Sequence, residues 1–262
     1  ISYKLPHRHL VDFELSALTN GLEKMQFQLS AWRPGRYELA DFAQNIINWQ
    51  AYDDKGEELH FKKITKDLWE VDCIETKEIT VIYNFYANQL DAGACYLDEY
   101  QLYLNPVHCM FYIVDRMEEE YQLNMNIPEN YKIASSMLKN GNTLNVKGYD
   151  LLAESPIICS SNIQHDIYQV ESIDFHIWFQ GECKPDWGKL KKDFTAFTKS
   201  QIKNFGAFPV DEYHYFFQIT PYRSYHGVEH TKNTVLLLGP GHEIMDKRYE
   251  DLLGVCSHEL YH

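Results

Sequence analysis

Ile173-Asp174-Phe175-His176-Ile177-Trp178-Phe179-Gln180-Gly181-Glu182-Cys183-Lys184-Pro185-Asp186 is the stretch in which the chain changes its period. Ile173, Phe175, Ile177 and Phe179 alternate with other residues, the two-residue repeat of a strand with one buried face. After Lys184-Pro185-Asp186 the repeat lengthens. Leu190, Phe194, Phe197 and Ile202 fall at helical intervals, in a segment from about Asp186 to Phe205 that Gly206 and Pro209 close. Asp186 is the expected N-cap, because its carboxylate can accept from the free N–H groups of the first turn.

Upstream of this switch the chain reads as β structure. Val11, Phe13, Leu15 and Ala17 alternate, Asn20-Gly21 carries a type I′ hairpin signal, and Met25, Phe27 and Leu29 alternate again. The same pattern recurs at Val81, Tyr83 and Phe85 and at Tyr121, Leu123, Met125 and Ile127. Asp54-Lys55-Gly56 and Asn140-Gly141-Asn142 read as turns. Many short strands without long helices between them predict a mainly β N-terminal domain, a sandwich or strongly twisted sheet. The 19 Tyr and 14 Phe of the whole chain suit broad sheet faces. Downstream, strands are expected around Tyr213 to Thr220 and Thr234 to Leu238, followed by a last helix. The boundary is expected near residue 170, giving an all-β domain over 1–170 and the first part of a second domain over 171–262.

A length of 262 residues allows one large domain or two of ordinary size. A net charge of −14 without a basic stripe argues against nucleic acid and anionic membranes as partners. No apolar run approaches the length of a membrane span. The six cysteines are scattered, with no C-x-x-C, and read as free and mostly buried thiols. Compartment and oligomeric state stay open.

The last helix carries the chemistry. Tyr249 to Ser257 brings apolar residues at helical spacing into His258-Glu259-Leu260-Tyr261-His262, with Glu250 and Asp251 in the first turn, where the helix dipole favours acids. Histidines four apart lie one turn above the other, so His258 and His262 can reach one Zn²⁺ while Glu259 stands beside the metal to act on water. The plainer reading is a pair of surface histidines. Gly241-His242-Glu243-Ile244-Met245-Asp246 has the His-Glu pair without the second histidine, and it follows Gly239-Pro240-Gly241, which is loop chemistry.

About thirty residues before the motif stands Tyr225-His226-Gly227-Val228-Glu229-His230, opening an edge-like strand. Alone, Glu229 reads as a solvated loop carboxylate. Placed before the zinc helix, it can meet the free α-ammonium of a peptide and orient the first peptide bond. Gly227 would let backbone approach that substrate closely.

With these residues the chain resembles the gluzincin zinc aminopeptidases, and most of all the glycyl aminopeptidase family. The resemblance continues through Trp32-Arg33-Pro34-Gly35-Arg36-Tyr37, Asp41-Phe42-Ala43, Trp69, Tyr86-Ala87, Tyr96-Leu97-Asp98 and Asn105-Pro106. It implies a leading β domain followed by the start of a thermolysin-like α+β catalytic domain. It also implies His258 and His262 as ligands of Zn²⁺, Glu259 as general base, Glu229 as amino-end anchor, and Gly227 and Val228 as substrate-facing strand backbone. The family's third ligand is a glutamate on a following helix, beyond His262. Zinc-dependent release of small N-terminal residues from peptides is therefore the expected activity of the complete site, and residues 1–262 alone are expected to be inactive or nearly so.

Two other readings fit the same residues: a zinc endopeptidase, in which Glu229 anchors no amine, and a β-rich binding or scaffold module with a vestigial motif.

Overall fold

The computed structural model describes residues 1–33 and 39–262, which separate into two compact units. The first comprises 1–89, 94–129 and 137–154, and the second comprises 90–93, 130–136 and 155–262. The sequence boundary near residue 170 falls between two strands that form one antiparallel hairpin, Ile163–Val170 and Ile173–Gln180.

In the first unit, Leu10–Leu18, Glu78–Tyr86 and Ile46–Tyr52 form one sheet, with Glu78–Tyr86 central. Phe61–Lys63, Leu68–Asp72, Lys24–Gln28 and Tyr112–Ile113 form another, in that order. Aromatic rings fill the space where the sheets face one another. Phe13 stacks on Tyr83 at 5.0 Å, Phe111 meets Tyr83 at 4.9 Å and Trp69 at 5.1 Å, and Trp49 stacks on Trp69 at 5.8 Å. The alternation at Val11 and Phe13, and at Met25 and Phe27, marks the faces that are buried here.

Asn20-Gly21 does not join a hairpin. Both residues have the positive φ of a type I′ turn, and Leu22 N–H donates to the Thr19 carbonyl at 3.1 Å. The flanking strands nevertheless pair elsewhere, Leu10–Leu18 with Glu78–Tyr86 and Lys24–Gln28 with Leu68–Asp72. The turn reverses the chain between two sheets, so its local chemistry was legible and its strand pairing was not. The motif from Trp32 to Tyr37 lies partly outside the described residues. Of its members, Arg33 is buried and Trp32 exposed.

The second unit holds a five-stranded sheet built from β1 (Ile163–Val170), β2 (Ile173–Gln180), β3 (Glu212–Ile219), β4 (Ser224–Glu229) and β5 (Asn233–Gly239), in the order β1-β2-β3-β5-β4. β2, β3 and β5 run parallel, while β1 and β4 pair antiparallel at the two edges. A parallel pair needs a crossover, and α1 (Trp187–Phe205) supplies it between β2 and β3. Asp186 caps α1 by accepting from Lys189 N–H at 3.0 Å, and Gly206 ends it at φ +83°. α2 (Tyr249–Tyr261) follows β5. Phe175, Ile177, Phe217 and Leu236 of the sheet share one core with Leu190 and Phe194 of α1 and Leu252 and Val255 of α2. The mainly β architecture passing into a mixed α+β sheet is the one the sequence predicts.

All six cysteines are free, and all but Cys183 are buried. Among the described residues no helix is long and apolar enough to cross a membrane.

Candidate active site

α2 is fixed at both ends before it presents any chemistry. Arg248, just ahead of its first turn, is buried and donates to the carbonyls of Ser224 at 2.9 Å and Gly239, and also to Asp251 at 3.0 Å. A cation at a helix N-terminus opposes the helix dipole. Here it joins the helix start to β4 and β5, where strand carbonyls need a donor. Tyr249 donates its hydroxyl proton to Asp193 of α1 at 2.9 Å. Near the other end, the Gln201 side-chain amide of α1 donates to the Ser257 carbonyl at 2.7 Å, one residue before His258.

β4 is the edge strand beside this helix. Among the described residues its only strand partner is β5, with Gly227 opposite Leu236 and Glu229 opposite Thr234. The Thr234 hydroxyl donates to the Val228 carbonyl at 2.9 Å and steadies the strand just before Glu229. Alternation puts Tyr225, Gly227 and Glu229 on one face and His226 and Val228 on the other. Val228 is buried.

Gly227 lies directly against Glu259 of α2. A β-carbon at position 227 would overlap the Glu259 carboxyl group and sit 2.9 Å from its Cγ. Glu259 is 6% exposed, an unusual place for a carboxylate on a helix whose neighbours His258 and His262 are exposed. Burial pushes the Glu259 carboxyl up to about 7, the negative charge of Glu229 adds to the rise, and His262 opposes it. Glu229 and Glu259 therefore share one electrostatic site, approached from β4 and from α2.

His258 and His262 point their Nε2 atoms at one another, 3.1 Å apart. Two imidazoles about 2.0–2.1 Å from one tetrahedral zinc stand roughly 3.4 Å apart, so the pair fits a shared ion. Among the described residues no third ligand atom converges on them. His242 and Glu243, the incomplete copy of the motif, lie in a 3₁₀ turn (Gly241–Glu243).

The structure thus brings Gly227, Glu229 and Glu259 together and pairs His258 with His262. Sequence reasoning missed Arg248, which ties the helix start to β4 and β5, and Gln201, which ties its far end to α1. Arg248 left a trace, a basic residue where the dipole disfavours one. Gln201 left none.

Residues 1–161 match the family model described as the Peptidase M61 N-terminal domain. No curated protein matches the chain. Among solved structures, an aminopeptidase N family protein from Idiomarina loihiensis is similar at 24% identity and a TM-score of 0.88, over 97% of this chain and 45% of that one. An M1 zinc metallopeptidase from Deinococcus radiodurans is similar at 13% identity and a TM-score of 0.51, over 96% of this chain and 58% of that one. Legionella pneumophila aminopeptidase A, solved in complex with aspartic acid, is similar at 13% identity and a TM-score of 0.55, over 96% of this chain and 32% of that one. These likenesses are of fold, and the chain spans less than two thirds of each of these proteins.

Proposed function

The chain belongs to the peptidase M61 family by its N-terminal domain, and from that premise we propose that it carries the base, the amine anchor and two metal ligands of a zinc aminopeptidase that releases small N-terminal residues. In this reading the third zinc ligand lies outside residues 1–262, and these residues alone cleave peptides poorly or not at all. The second domain, expected from residue 171, is the start of the catalytic domain.

The observation that carries the proposal is the packing of Glu259 against Gly227, with Glu229 on the same face of β4 and the paired His258 and His262 nitrogens on the same helix. A zinc ion held by His258 and His262 would supply Lewis acidity to the scissile carbonyl and acidify an attacking water. Glu259 takes that water's proton and returns it to the leaving amine. Glu229 receives the peptide's α-ammonium, which sets the first peptide bond, rather than an internal one, before Glu259. The outer edge of β4, unpaired among the described residues, gives the substrate backbone a line of hydrogen-bonding groups at Gly227 and Val228.

The test is metal content and hydrolysis in the longest product of the gene. The proposal expects stoichiometric zinc, and a fall of about 10²- to 10⁴-fold in kcat for Glu259→Gln with zinc retained. A protein without zinc, whose peptide hydrolysis is unchanged by Glu259→Gln, would overturn it.

A further inference from the structure

The face of the five-stranded sheet opposite α1 and α2 carries a second set of metal-ligating side chains, independent of the peptidase reading. β2 and β3 run parallel with His176 opposite His214, and Glu212 lies two residues before His214 on the same face. One nitrogen of each histidine and one Glu212 oxygen lie within 4.8 Å of one another. His214 is 4% exposed, and its Nε2 has no hydrogen-bond partner. That atom faces Glu212 Oε1 at 3.8 Å, beyond hydrogen-bond reach. Two ligands held about 2.0–2.2 Å from one tetrahedral ion are separated by roughly 3.4 Å, so little closure is needed to place an ion between them.

We propose that His176, Glu212 and His214 bind a divalent transition-metal ion of the zinc, cobalt or nickel type, tying β2 to β3. Two imidazoles and one carboxylate make a borderline donor set that selects such ions over calcium or magnesium.

The metal-free arrangement defines what binding changes, and in it His176 Nδ1 lies 3.1 Å from His165 Nε2. The His176 and His214 rings are stacked, 4.3 Å apart and 10° from parallel, so their in-plane lone pairs run side by side. Coordination tilts the half-exposed His176 ring about χ2, a soft torsion. Trp178 Nε1–H donates to His214 Nδ1 at 3.1 Å, which leaves the ring proton on Nε2. Coordination through Nε2 moves that proton to Nδ1 and releases the Trp178 N–H, so binding is reported by the indole itself.

The test starts from the full chain carrying His258→Ala and His262→Ala, so that the peptidase motif contributes no metal. Titration with Co²⁺ and with Zn²⁺ is expected to give one bound equivalent and to shift the indole N–H resonance of Trp178. Adding His176→Ala or Glu212→Gln, both half-exposed positions, is expected to weaken binding at least about tenfold. Circular dichroism checks that these variants fold. Trp178→Phe removes the competing N–H and is expected to tighten binding. The proposal is overturned if the His258→Ala, His262→Ala chain binds no metal, or if it binds equally well after Glu212→Gln and His176→Ala.

Discussion

Gly227 of the edge strand and Glu259 of the last helix occupy one another's space: the side chain that position 227 lacks is the volume that the Glu259 carboxyl fills. The glycine was expected to admit substrate backbone. Its structural consequence is that it lets the candidate base lie flat against the strand where a peptide would bind. Gly227→Ala should therefore displace Glu259 rather than the histidines. The expected outcome in the longest gene product is unchanged zinc content with kcat lowered roughly 100-fold, the scale of an ångström-sized misplacement. Overpacking should also cost about 1–3 kcal/mol of stability, read from a denaturant midpoint.

Arg248 should be worth more to the fold than its charge suggests. Arg248→Met keeps length and apolar bulk while leaving the Ser224 and Gly239 carbonyls without their donor. A hydrogen bond from a charged group to a buried acceptor contributes about 1.5–3 kcal/mol, so a destabilisation in that range is expected in chemical unfolding. A loss below about 0.5 kcal/mol would show that the clamp is not needed.

Asp186→Ala removes the N-cap of α1, far in sequence from the motif. The expected cost is about 1 kcal/mol, measured by thermal unfolding, with zinc binding at the peptidase motif unaffected.

These outcomes divide along the line between what was and was not legible in the sequence. Asp186 and Gly206 bound a helix by local chemistry alone, and both ends fell where the sequence put them. Asn20-Gly21 was equally local, and its turn geometry is present. The partners of its flanking strands were set by aromatic packing between residues far apart in sequence, such as Phe13 with Tyr83 and Trp69 with Phe111. Histidines four apart on a helix announce their convergence, whereas His176 and Glu212 meet only through the register of two parallel strands. Arg248 finds its acceptors 24 and 9 residues upstream, at Ser224 and Gly239, which no periodicity reports.

Acid sensitivity should trace in part to the first unit. Glu70 accepts hydrogen bonds from Lys24 and Gln26, both at 2.9 Å, and pairs with Lys62 at 3.1 Å. Led by the Lys24 hydrogen bond, these contacts hold its carboxyl at about 2, below the ordinary 4.5. With the folded value depressed, the ionised group stabilises the fold fully above about pH 4.5. That contribution is lost as pH falls toward 2. Glu70→Gln should flatten the fall in melting temperature between those limits and leave the slope above pH 5 unchanged. An unaltered acid limb would remove Glu70 from the account.

The most direct measurement compares two peptides that differ only at their first nitrogen, one with a free N-terminal glycine and one N-acetylated, as substrates for the longest gene product. The account predicts cleavage after the first residue of the free peptide, no cleavage of the acetylated one, and loss of the free peptide's advantage in kcat/KM on Glu229→Gln. Equal cleavage of both peptides, or cleavage at internal bonds that Glu229→Gln leaves untouched, would contradict it.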